Sequence, residues 1–196
     1  QKVISTSWDR PVRIWNLGDP APQLVIPCSE HPAGISSNPR GPQIAITEGR
    51  RVRIVNENAV TPPSLNLKPL GTYRILDLRW SPDGARVLVA GADGSVHLWS
   101  PDADSRGTEF QNPIGTRTWS ACWSPDGSRL ATATREIVIW NAADRTEVIR
   151  FGQRQGNTVS LDWSPDGVRL ASLSDDGTVR VWNAESGAEL HAVTLK

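Results

Sequence analysis

The pentapeptide Trp-Ser-Pro-Asp-Gly occurs three times in this chain, beginning at Trp80, Trp123 and Trp163, with spacings of 43 and then 40 residues. Self-similarity at such a period means a row of like units, each too small to bury its own apolar faces. A worn copy, Ser37-Asn38-Pro39-Arg40-Gly41, lies another 43 residues upstream and keeps the Pro and the Gly. In every copy Pro presets the backbone at the second corner of a type I turn, Ser or Asn caps it from the first position, and Gly closes it at the fourth. Each pentapeptide therefore ends one strand and starts another.

A second marker follows each turn. Val12-Arg13-Ile14-Trp15-Asn16, Val52-Arg53-Ile54-Val55-Asn56, Val96-His97-Leu98-Trp99-Ser100, Ile137-Val138-Ile139-Trp140-Asn141 and Val179-Arg180-Val181-Trp182-Asn183 are β-branched, alternating stretches that read as strands. Between the markers lie the apolar runs 85–91, 128–134 and 168–174, which end in turn signals such as Ala92-Asp93-Gly94 and Asp175-Asp176-Gly177. Each run and the marker after it form a tight hairpin. A further apolar stretch, for example 146–151 or 189–195, supplies a fourth strand, so the unit is four antiparallel strands in roughly 42 residues, within the usual span of such repeats. Fifteen Pro and 16 Gly punctuate the chain too often for long helices. The fold class is all-β.

These units resemble the WD-repeat β-propeller family, whose period, four-stranded blade and Trp at the end of the third strand all match. The near-identical turns and the Ala, Gly, Pro and Arg content resemble bacterial-type WD repeats. The resemblance implies blades at about 1–28, 31–70, 71–113, 114–152 and 153–196. It departs from the family in two respects. The Gly-His pair that usually precedes the first strand is absent, and the terminal Trp-Asp is Trp-Asn or Trp-Ser throughout. The His-Ser/Thr-Asp-Trp hydrogen-bond network of the family is therefore incomplete, with Asp176, Ser172 and Trp182 as a candidate remnant in the last blade. Aligning Gln1-Lys2-Val3 with Ser128-Arg129-Leu130 starts the chain just after a missing turn, so the first blade is expected to lack its innermost strand. The five repeats are then expected to be an arc of a larger, seven-bladed ring, with further blades upstream.

Of the nine Trp, those at positions 80, 99, 123, 140, 163 and 182 lie at the markers and are read as core. Catalysis has little to draw on. His31, His97 and His191 show neither HxH nor HExxH spacing, Cys28 and Cys122 lie far apart without a CxxC, and there is no GxxxxGK[ST], GxGxxG or GxSxG motif. No catalytic residue, metal site or cofactor is expected. The 21 basic residues cancel the 21 acidic ones, so the overall charge recruits neither nucleic acid nor an anionic membrane, and no apolar run is long enough for a membrane helix. Cysteine usage suits a reducing cytoplasm.

What the resemblance implies is binding, on loops gathered at two flat faces around a central opening. The loops approaching each blade and the turns between its middle strands supply Trp8, Arg10, Arg50, Arg51, Tyr73, Arg74, Arg117, Trp119, Arg135 and Arg154. Seven arginines on one rim fit an acidic peptide or protein segment, because Arg pairs with carboxylates and, with Trp and Tyr, dominates interface energetics. Against this stand the general excess of 18 Arg over 3 Lys, as a GC-rich genome would produce, and the acids Glu30, Glu48, Asp93, Asp175 and Asp176 on the same rim. Trp8 occupies a turn where the repeat does not need Trp, which suits either an exposed anchor or a contact with upstream sequence. The sequence reads as a non-catalytic scaffold for protein or peptide partners. The alternatives are the sensor or regulatory propeller of a multidomain kinase, protease or STAND-type nucleotidase, and a structural subunit of a larger assembly.

Overall fold

The computed structural model describes residues 2–6, 11–58, 65–66, 74–101, 108–111, 117–152 and 156–195. These form 19 strands in five antiparallel sheets, and no helix occurs among the described residues. The first sheet has three strands, β1 (Lys2–Thr6), β2 (Val12–Asn16) and β3 (Leu24–Ile26). The second comprises β4 (Ile35–Ser37), β5 (Gln43–Glu48), β6 (Arg51–Asn56) and β7 (Leu65–Asn66). The third comprises β8 (Ile75–Trp80), β9 (Val87–Gly91), β10 (Ser95–Trp99) and β11 (Thr108–Gln111). The fourth comprises β12 (Ser120–Trp123), β13 (Arg129–Ala133), β14 (Ile137–Asn141) and β15 (Glu147–Phe151), and the fifth β16 (Thr158–Trp163), β17 (Arg169–Ser174), β18 (Thr178–Asn183) and β19 (Glu189–Thr194). Each sheet is a meander in chain order.

The repeated pentapeptide works as its residue types dictate. The amides of Gly84, Gly127 and Gly167 each donate to the carbonyl of the turn's Ser at 2.9 Å, and these glycines hold φ near +70°, a backbone region costly for other residues. Each Asp carboxylate then accepts the amide two residues on, Ala85 at 3.0 Å, Ser128 at 3.0 Å and Val168 at 2.9 Å. The same Asp takes the hydroxyl proton of its own Ser81, Ser124 or Ser164. The worn copy is wired differently. Asn38 Nδ2 donates to the Gly84 carbonyl at 3.0 Å and Arg40 Nε to that of Pro82 at 3.5 Å, so this turn leans on its neighbour.

Because side chains alternate across a strand, every sheet has two apolar faces, and four cores fill the four spaces between five sheets. Val12, Ile14 and Ile26 of the first sheet meet Ile44, Ile46 and Val55 of the second. Ala45, Val52 and Ile54 meet Leu78, Trp80, Val87 and Trp99. Leu88, Ala90 and Leu98 meet Trp123, Leu130 and Trp140, and Ala131, Ala133, Ile137 and Ile139 meet Trp163, Leu170 and Trp182. Trp80, Trp99, Trp123, Trp140, Trp163 and Trp182 are buried, as expected, whereas Trp15, at the same place in the first sheet, is half-buried. Each buried one removes roughly 150–250 Å² from water, so truncating one to Ala costs on the order of 3–5 kcal/mol. The first and fifth sheets share none of these cores.

The remnant network differs from the expectation in one member. Trp182 Nε1 does donate to Ser172 Oγ, at 2.8 Å, but the Asp176 carboxylate accepts the Thr178 amide at 2.8 Å and faces Arg180 at 3.4 Å. A backbone amide two residues on is the nearer donor. The Trp–hydroxyl pair is a repeated device, since Trp140 donates to Thr132 and Trp15 to Ser5, both at 2.9 Å.

Candidate interaction face

The ends of the sheets that carry the β5–β6, β9–β10 and β13–β14 turns are tied together by backbone hydrogen bonds. The Ile75 amide donates to the Gly49 carbonyl at 3.0 Å, Thr118 to Gly91 at 3.3 Å and Thr158 to Thr134 at 2.8 Å, so each middle turn holds the strand that opens the next sheet. The rim arginines are the sequence neighbours of these anchors. Arg50 follows Gly49, Arg74 precedes Ile75, Arg117 and Trp119 flank Thr118, and Arg135 follows Thr134. Alternation along the strand turns the anchors inward and their neighbours outward: Thr118 is buried, whereas Arg50, Arg51, Arg74, Arg117 and Arg135 are exposed. Trp119 is half-buried, and the Arg117 guanidinium lies 5.5 Å from its ring centre. Trp8, Arg10, Tyr73 and Arg154 lie outside the described residues.

Three acids of this rim, Glu48, Asp93 and Asp175, have donors of their own. Glu48 sits opposite Arg51 across the hairpin, yet its carboxylate takes Arg53 Nη1 at 3.1 Å and Ser29 Oγ at 3.3 Å. Asp93 accepts the Ser95 amide at 3.0 Å, and Asp175 accepts the amide and side chain of Asn157, both at 2.8 Å. The Glu30 carboxylate lies over Gly49, at a spot that any Cβ would occupy. Among the described residues no carboxylate pairs with Arg50, Arg51, Arg74, Arg117 or Arg135. Turn geometry gives Asp93 an amide two residues on, whereas Asp175 takes its donors from Asn157, 18 residues away.

A second chain of polar contacts, not read from the sequence, joins the first strands of neighbouring sheets. Asp77 accepts Ser120 Oγ at 2.8 Å and the Ala121 amide at 3.2 Å, and Ser120 Oγ in turn accepts the Leu161 amide at 3.3 Å. Burial pushes the Asp77 carboxyl above the usual carboxylate range, against the opposing pull of Arg79 and these donors. Its one signal in the sequence is an acidic residue within the apolar run Ile75–Trp80. Of the histidines, His97 is buried in β10 while His31 and His191 are exposed, and no cluster of three metal-ligating side chains occurs among the described residues.

A model of the WD domain, G-beta repeat, matches residues 67–100 and 147–183, each match closing on the Trp-Ser or Trp-Asn pair that ends a third strand. The chain carries WD repeats. The third and fifth sheets, whose first three strands lie within the matches, are thus WD-repeat blades, with the turn pentapeptide between the first and second strands. Among relatives, the Intraflagellar transport protein 80 homolog of Mus musculus is 28% identical over 111 residues, covering 56% of this chain and 14% of its own length. Protein HIR1 of Candida albicans is 30% identical over 130 residues, covering 55% of this chain and 14% of itself. The tRNA (guanine-N(7)-)-methyltransferase non-catalytic subunit wdr4 of Xenopus laevis is 26% identical over 164 residues, covering 81% of this chain and 41% of itself. The WD chain therefore spans about one seventh of the first two of these relatives. All three are eukaryotic, which lends no support to the expected bacterial character.

Proposed function

We propose that this WD chain is a non-catalytic platform whose arginine rim docks an acidic segment of a protein partner. The observation that carries the reading is the row Arg50, Arg51, Arg74, Arg117 and Arg135, exposed at one end of consecutive blades and without a carboxylate partner among the described residues, while Glu48, Asp93 and Asp175 accept other donors. Rigid anchors behind each arginine lower the ordering cost of binding, and the planar guanidinium suits bidentate capture of carboxylates. Arg117 over Trp119 adds an aromatic anchor of the kind that concentrates interface energy. The test is an array of Asp/Glu-rich peptides probed with the wild-type chain and with Arg51→Ala, Arg74→Ala and Arg117→Ala combined. Loss of the signal, with wild-type binding that weakens as salt rises, is expected; unchanged binding by the triple variant disposes of the rim.

A second reading, a subunit that holds a larger assembly together, is favoured by the likeness of 81% of this chain to a protein named as a non-catalytic subunit. We place the chain in the cytoplasm, a reading supported by the two free thiols, Cys28 and Cys122.

A further inference from the structure

We infer that the cleft between the turns of the fourth and fifth sheets, at the end opposite the arginine rim, is a binding site for an arginine side chain of a protein partner. The chain fills the corresponding place one repeat earlier with an arginine of its own. There the Pro82 ring lies against Gly127, 3.7 Å from where a Cβ would stand, the Arg86 guanidinium lies 4.8 Å from the ring centre of Trp123, and Arg86 Nη1 donates to the Ala142 carbonyl at 3.4 Å. The next space is built to the same plan. Pro125 lies against Gly167 at 3.8 Å, and Trp163 and Ala184 take the places of Trp123 and Ala142. The Ala142 and Ala184 amides donate to the carbonyls of Ser128 and Val168, both at 2.9 Å. What differs is the arginine. Arg129 follows Trp123 at the distance at which Arg86 follows Trp80, yet among the described residues no cation lies over Trp163 and no guanidinium donates to Ala184. A cleft of about 410 Å³ stands there, lined by Arg129 and Trp163 together.

The lining suits the whole length of an arginine. Pro125, Pro165 and Val168 are exposed and offer apolar contact to its three methylenes, as long cationic side chains require of the surface they cross. Asp126, Asp166 and Glu185 line the same cleft. Glu185 stands where the space before has Ala143, and its carboxylate has no partner among the described residues. Three carboxylates outweigh Arg129 even when Arg169, which pairs with Asp166 at 3.5 Å, is counted with it. The surplus is negative, so the complementary occupant is a cation, and a planar guanidinium can meet two carboxylates at once where an ammonium cannot. Strand order in each meander puts these turns at the end of the sheet away from the middle turns, so this site and the arginine rim are separate surfaces of opposite charge.

The test titrates acetyl-arginine methylamide, which has no charged termini, into the full chain labelled with ¹⁵N, with the lysine, citrulline and glutamate analogues as comparisons. Saturable amide shifts are expected at Ser128, Gly167, Val168 and Glu185, with a Kd on the order of 1 mM for a single anchored side chain. The lysine analogue should bind more weakly, and the citrulline analogue, of the same shape without the charge, should give no saturable shift. Glu185→Arg, a reversal at an exposed position, should weaken the arginine probe about five-fold. Arg129→Ala removes a like charge and should leave binding intact or tighten it. No saturable shift at about 50 mM probe, far above that Kd, overturns the inference, as does equal binding of citrulline or an unchanged affinity in Glu185→Arg. A glutamate analogue that binds at these amides and is lost in Arg129→Ala overturns it too, since the cleft would then be an anion site.

Discussion

The Arg86 guanidinium lies 4.8 Å from the ring centre of Trp123, reaching from the turn of the third blade onto the first strand of the fourth, and its Nη1 also donates at 3.4 Å to the carbonyl of Ala142, just past that blade's third strand. A partly desolvated cation–π contact is worth about 1 kcal/mol or somewhat more. Arg86→Ala is expected to lower stability by about that amount in urea unfolding, and Arg86→Lys to recover only part, since an ammonium lacks the planar face. Wild-type stability of the Ala variant would mean that the stack contributes nothing.

Trp140 Nε1 donates to Thr132 Oγ1 inside the third core, with both residues buried. Thr132→Val keeps the shape and deprives the indole of its acceptor, at a cost of about 1–3 kcal/mol. Thr132→Ser should restore most of it. A double-mutant cycle with Trp140→Phe, read by denaturant midpoints, isolates the pair.

Two carboxylates give opposite pH dependences. The hydroxyl of Ser124, then the hydroxyl and amide of Ser128, hold Asp126 down to about 2, so its contribution to stability is present above the ordinary carboxylate range and is lost as pH falls toward 2. Asp77 is raised by burial, so its contribution is present below the ordinary range and is lost as pH rises through its raised value. Asp126→Ala should therefore cost stability at pH 6 and little at pH 2. Asp77→Asn should gain on wild type as pH rises from 3 to 7. Unfolding curves across that interval check both signs.

Burial, reinforced by Glu48, pushes the Cys28 thiol up to about 11, and deeper burial with Asp162 and Asp77 nearby pushes Cys122 higher still. Since the thiolate is the nucleophile, both should label slowly with iodoacetamide at pH 8, with Cys28 ahead of Cys122. Glu48→Gln should speed Cys28 alone. Rapid labelling of Cys122 in the folded chain would contradict its place beneath Trp163 and Leu161.

The turns and strands were legible because their causes are local. Pro82, Gly84 and their repeats fix a turn within five residues, and alternation in Ile137–Asn141 fixes a strand. The partners of the rim acids are illegible for the converse reason. Whether Glu48 faces Arg51 or Arg53 depends on how a hairpin twists and on Ser29, 19 residues away. The bond from Asn38 to Gly84 and that from Ser120 to Asp77 each span about one repeat, 46 and 43 residues, yet the period does not say which side chains of neighbouring units touch. Val55 in place of the third-strand Trp shows the limit from the other side, since it fills the same place in its core without the marker.

Among the described residues each core is shared by two neighbouring blades, so the blades are linked in series. The third blade shares a core with the second and another with the fourth, so a change in either of its faces is expected to reach a neighbour. Loss of both would break the series there, and the rim arginines on either side of the break would no longer keep a fixed distance from one another.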